Sequence, residues 1–289
     1  MKRLLVPIGA LLLCIVIVKS QGSDKLSGLE SPVNSPAQAM VAAAAPRRPS
    51  AFGLNLSNAA YWSQQRAFMN LAAGGAWQAP HNQWQEFDPR WVDGEGTVLS
   101  LNPGEIAALG LVRPAAAYRG DVALRCRYQG TGKFGVLGGT AIQHRPGEMD
   151  FTWPRTEIGA VIRIDATDAA DPIRNIDCRE ANADWNVVFD KDFVDGLRAY
   201  KSIRYLDWQQ ANLNLAGNWA RRTLPSATIQ AGPQGVALEY LVLLANQAQV
   251  DPWFVMPFNA DDIYNQNFAE YVRDHLSVVR TFGATRGVN

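Results

Sequence analysis

Between Trp91 and Arg179 the chain is cut into short runs of β-type residues separated by turn residues. The runs are Thr97–Leu101, Val122–Tyr128, Lys133–Leu137, Glu148–Trp153, Ile158–Asp165 and Ile173–Cys178. Short β-type runs punctuated by turn residues commit this stretch to half-buried strands and so to an all-β module. Both flanks read differently. Phe52–Leu56 predicts a strand and Asn58–Ala73 a helix ended by Gly74 and Gly75, because glycine tolerates the left-handed backbone that closes helices. After Asp184 the spacing predicts a helix over 190–200, a strand over 202–206, a helix over 234–249, a strand over 252–256 and a helix over 261–276. Alternation of strands and helices is the pattern of a parallel sheet or barrel.

The first residues, Met1-Lys2-Arg3 followed by the apolar run Leu4–Val18, have the order of a secretory signal and fall short of the ~20 residues that span a bilayer. Val18 and Ser20 suit cleavage after Ser20, so 1–20 is expected to be a signal peptide and the protein secreted or periplasmic. Retention of the apolar run as an uncleaved membrane anchor is the alternative. Cys14 follows Leu13, where a lipoprotein signal carries a small residue, which argues against lipidation. Residues 21–50, rich in Ser, Pro, Ala and Gly, read as a flexible linker. Loss of the signal leaves Cys126 and Cys178, which either form a disulfide in an oxidising compartment or stay as two buried thiols.

Lys+Arg and Asp+Glu number 27 each, and no basic block follows Arg48, which argues against nucleic acid as a partner. Gly130-Thr131-Gly132-Lys133-Phe134-Gly135 matches the dinucleotide fingerprint in letters. That fingerprint needs a helix after it, and Val136–Thr140 is not helical in pattern, so a glycine-rich turn between strands is expected and no nucleotide cofactor. The three histidines, His81, His144 and His275, are scattered and no metal-ligand spacing exists, so no metal is expected. A GxSxG nucleophile elbow is absent as well. Of nine Trp, four (Trp62, Trp77, Trp84, Trp91) fall in one short stretch. They serve either as core anchors or as stacking faces for sugar rings.

In a barrel the residues following each strand gather on one rim, where sites are built. That rule groups Asn55, Arg204, Asp207, Trp208, Asn259, Asp261 and Asp262 as candidate substrate-binding residues. Each has a structural counterpart reading. Asp261 and Asp262 would cap a helix, Arg204 would pair with Asp207, and Trp208 would be a buried wedge. Glu239, mid-helix, reads as part of a solvated face.

Three segments in order, Gly53-Leu54-Asn55-Leu56 with Trp62, Ile203–Trp208, and Gly235–Tyr240 running to Asp251–Pro257, together with Ala260–Tyr264, carry a likeness. The chain resembles secreted proteins related to the large retaining clan of glycoside hydrolases, often described as cellulose-binding or as hydrolases. The resemblance spans residues 52–276 and includes Ala170–Ile176 in the β module. It implies a polysaccharide or oligosaccharide partner and an α/β fold, a partial (β/α) TIM-like barrel with an inserted all-β sandwich-like module. The expected units are 51–90, a first βα unit; 91–180, the inserted module; and 181–289, further βα units. Arg204 would correspond to the clan's arginine near the end of an early strand, and Trp208 would offer a sugar platform.

The chain departs from the clan at Phe258, where a histidine usually follows the Met-Pro step. It also has no Asp or Glu between Ser277 and Asn289, where the clan continues toward its acid/base carboxylate. Retaining hydrolysis needs two carboxylates roughly 5–5.5 Å apart, so no catalytic residue is assigned. Outside the signal, linker and β module, the residues also fall short of the about 250 that a closed eightfold barrel typically needs. The resemblance thus implies a truncated carbohydrate-active chain that does not hydrolyse. The alternative is a non-catalytic glycan-binding protein of the cell envelope in which the β module and its neighbouring Trp residues do the work, and binding by that module requires Trp84, Trp91 or Trp153 to be exposed. A third reading is a purely structural envelope protein.

Overall fold

In the computed structural model the described residues are 51–278, apart from 64, 81–84, 87–88, 113–118, 157–158 and 215–216. The expected signal and linker lie outside them. In chain order the strands begin with β1 (Gly53–Asn55), β2 (Trp77–Ala79), β3 (Gln85–Glu86) and β4 (Ala107–Gly110). They continue with β5 (Val122–Gln129), β6 (Gly132–Leu137), β7 (Thr140–Arg145), β8 (Glu148–Trp153), β9 (Val161–Thr167) and β10 (Arg174–Glu180). Then come helix α1 (Lys191–Leu197), β11 (Ser202–Arg204), α2 (Leu238–Ala248), β12 (Asp251–Trp253) and α3 (Asp262–His275).

Nine of these strands form two antiparallel sheets, in the orders β10-β5-β8-β7 and β3-β2-β4-β9-β6. The alternation in sequence explains why they stack. Leu124 and Cys126 of β5, with Met149, Phe151 and Trp153 of β8, point one way and meet Phe134 and Val136 of β6 and Ile162 and Ile164 of β9 in one core. Arg125, Arg127, Glu148 and Asp150 point the other way, into a ladder of ion pairs. The glycine-rich motif carries the chain from one sheet to the other. Gly130 takes a positive φ of 93°, and a Cβ there would lie 2.1 Å from the Pro172 carbonyl oxygen, so only glycine fits the turn. No helix follows it; β6 does.

The remaining strands form a parallel sheet in the order β1-β11-β12, with Leu54, Ile203 and Pro252 side by side in register. Ile203 is fully buried against Phe193 and Leu197 of α1 and Leu241, Leu244 and Ala248 of α2. Phe254 carries the packing on to Phe268 of α3. Asp190 caps α1, accepting from the Asp192 and Phe193 amides, and Asp261 caps α3, accepting from the Tyr264 amide.

These observations correct the expected fold class. Among the described residues the structure is mostly β-sheet with three α-helices, and neither a TIM barrel nor any closed barrel forms. The parallel set ends at three strands, whereas the barrel needs eight. The helix expected over 58–73 is also absent, because its backbone bonds elsewhere. The Met69 amide donates to the Val188 carbonyl, the Leu71 amide to that of Cys178 and the Val112 amide to that of Leu71, while Phe68 bridges Phe189. Arg66, buried, fixes this segment by donating to the carbonyls of Phe68 and Met69 and pairing with Glu180.

Candidate functional site

Strand alternation splits the parallel sheet into two faces. Leu54, Ile203 and Pro252 belong to the face that the helices cover; Asn55, Arg204 and Trp253, each in register with the next, belong to the other. Trp253 is 59% exposed and Asn55 is exposed as well, with Arg204 half-buried between them. The Arg204 guanidinium lies over the Trp253 indole at 5.0 Å, a cation–π contact that braces the ring. Asn55 reaches past the strand end, its Nδ2 3.5 Å from Oδ2 of Asp207. The row thus combines an aromatic face, a cation, an amide and a carboxylate within three adjacent strands and the turn after β11.

That turn is held by its own backbone and by Gln209. The Gln209 amide donates to the Tyr205 carbonyl at 2.8 Å, and Gln209 Oε1 accepts from the Val255 amide at 2.7 Å. Tyr205 beneath it is fully buried, with its hydroxyl donating to the Leu241 carbonyl, and desolvation raises its pKa well above the ordinary phenol value.

Of the residues grouped by the rim rule, Asn55, Arg204 and Asp207 come together, and the others do not join the row. Trp208 is 2% exposed, donates its indole N–H to the Ser57 carbonyl at 2.9 Å, and stacks on Phe193 and Phe68. It is a wedge in the core and offers no sugar platform. Asn259 is exposed in a loop packed against Gly217, where a Cβ would lie 2.4 Å from the Asn259 carbonyl oxygen, and the Asp261 amide donates to the Gly217 carbonyl. Asp261 is committed to its cap, and Asp262 sits exposed in the first turn of α3. Arg204 forms no ion pair with Asp207, contrary to the structural pairing considered from sequence. Glu239 is half-buried and accepts from Arg222 at 2.9 Å, so it does not lie on a solvated face.

Cys126 and Cys178 face each other across β5 and β10 with Cα atoms 4.0 Å apart and are joined as a disulfide, both side chains fully buried. The tryptophans on which β-module glycan binding depended are placed otherwise. Trp153 is fully buried, Trp91 is half-buried against the sandwich core, and Trp84 lies outside the described residues. Trp185, after β10, is held between Arg127 at 4.0 Å and Arg179 at 5.3 Å.

A cavity of about 240 Å³ between β10 and α2, lined by Phe68, Asp177, Arg179 and Tyr240, has its strongest groups already engaged. Arg179 grips Asp177 through two nitrogens and donates to the Asp184 and Val187 carbonyls. The Tyr240 hydroxyl donates to the Pro225 carbonyl, and burial pushes its pKa up to about 12. Among the described residues one carboxyl is shifted upward, that of Glu95, by burial and by the neighbouring Asp93. It belongs to the Asp93–Thr97 turn rather than to the sheet row.

Sequence reasoning missed Trp253. The run 252–256 is expected only as a strand, yet Trp253 stands in the strand position matching Asn55 and Arg204, two residues already assigned to the rim. Comparisons with family models, with curated proteins and with solved structures find no match to this chain.

Proposed function

We propose that the protein is a non-catalytic glycan-binding protein that takes its ligand on the open face of the parallel sheet. The observation that carries this reading is the exposed Trp253 indole, braced by Arg204 and flanked by Asn55 and Asp207. A flat aromatic face suits the C–H face of a pyranose, and adjacent polar groups suit its hydroxyls. Binding is favoured over hydrolysis because glycosidases work with two facing carboxylates, and of the acids assigned to the rim Asp207 alone joins the row while Asp261 is spent on a helix cap. The segment resemblance to glycoside hydrolases agrees with a sugar ligand.

Affinity electrophoresis of the exported protein through gels containing soluble β-glucan, galactan or polygalacturonate tests the proposal. At least one polymer should retard the wild type, and Trp253→Ala should weaken that binding about tenfold or more, equivalent to about 1.4 kcal/mol, with an unchanged melting temperature. Retardation by none of them, or full binding by the Trp253 variant, overturns it.

A further inference from the structure

Among the described residues, the buried and half-buried arginines are paired with one exception. Every other buried or half-buried arginine among the described residues, from Arg66 to Arg222, has a carboxylate within ion-pair distance. Arg204 has none, and its buried Nε makes no hydrogen bond. Its one contact of note is the Trp253 ring. Asp207 is the nearest carboxylate by sequence, but the group it engages is the Asn55 amide.

The Nε atoms of Arg198 and Arg222 are likewise unbonded, but each of those guanidinium groups has a carboxylate beside it; an arginine on the central strand of a sheet, stripped of part of its water and given no carboxylate, lacks that compensation. Guanidinium is a planar fork whose best partner is a carboxylate taken through two parallel hydrogen bonds, and stacking on an aromatic ring leaves its edge donors available for that partner. The fork lies in the same row as the exposed indole, so a single sugar lying along the row meets both.

We propose that the ligand is an acidic glycan, and that Arg204 is the residue that binds the carboxylate of a hexuronic acid whose ring packs on Trp253. This rests on the glycan-binding reading above and narrows it to a substrate class. Asn55, carrying Asp207 on its amide, then stands at the far end of the row for a hydroxyl of the same or the next sugar. Asp207 also sets the charge pattern, since it disfavours a second carboxylate at that end.

The experiment compares four polymers against the exported wild-type protein: polygalacturonate, the same polymer with its carboxyls reduced to alcohols, neutral β-glucan and polyglutamate. Polygalacturonate should bind about tenfold or more tightly than its reduced form at low salt, with the margin shrinking at high ionic strength as screening weakens the charge contact. Arg204→Gln should bind both forms alike, at the level of the reduced polymer, and Arg204→Lys should recover part of the preference. Equal binding of charged and reduced polymers by the wild type overturns the acidic-ligand inference and leaves the glycan-binding reading standing. Binding of none of the polysaccharides removes both. Polyglutamate binding as tightly as polygalacturonate assigns Arg204 to a protein carboxylate and also overturns the inference. Should the Arg204 variants fail to fold, the wild-type comparison of charged and reduced polymer decides alone.

Discussion

Replacing Trp208 with Ala separates its two roles, because a core wedge and a sugar platform fail in different ways. The indole is 2% exposed and is stacked within 5.9 Å of Phe193 and 5.5 Å of Phe68, which ties the turn after β11 to α1 and to the 66–73 segment. Truncating a buried Trp to Ala costs about 3–5 kcal/mol, and the Ser57 carbonyl that accepts its N–H is left without that partner. A loss near 4 kcal/mol in a domain of this size lowers the melting temperature by about 8–16 °C. The assay is thermal denaturation followed by circular dichroism, run beside affinity electrophoresis at a temperature where wild type and variant are both folded. Trp208→Phe should recover most of the loss, since it restores the ring and omits the hydrogen bond. A Trp208→Ala protein that melts with the wild type but no longer binds any polysaccharide would refute the reasoning and return Trp208 to the ligand.

Two further outcomes are expected. Peptide mapping without reductant should recover Cys126 linked to Cys178, and because the bond closes a loop with a sequence separation of 52, its removal in a Cys126→Ala/Cys178→Ala protein should cost about 4 kcal/mol. The Asp150 carboxyl is held down to about 2, chiefly by its hydrogen bond to Arg125 and also by that to Arg145. A depressed folded-state pKa means a stabilising contribution that is complete above the ordinary Asp range, near pH ~4, and is lost as pH falls toward ~2. Asp150→Asn should therefore flatten the acid limb of a stability-against-pH curve, and an unchanged limb would place the acid sensitivity elsewhere.

The sequence by itself determined the elements whose pattern is local. Glu148–Trp153 alternates strictly and is a strand with those bounds, and an acidic residue before an amphipathic run located the cap and start of α3 at Asp261. It also placed Asn55 and Arg204 within strands, expected over 52–56 and 202–206, which the structure ends at those two residues. It did not reveal β7, which is exposed at every position and so has no alternation to read, or β4, whose four small or apolar residues are all buried. The 58–73 segment carries helical spacing but its described residues form turns instead, because the Met69 and Leu71 amides are taken by Val188 and Cys178, residues more than a hundred positions away. Only the tertiary structure decided that Trp208 turns inward and Trp253 outward. Period-two alternation fixes which residues share a face, whereas which face a helix covers depends on how α1 and α2 pack on Ile203. The same packing leaves Arg204 on the open face beside an indole and without a carboxylate, and that placement gives this row its chemistry.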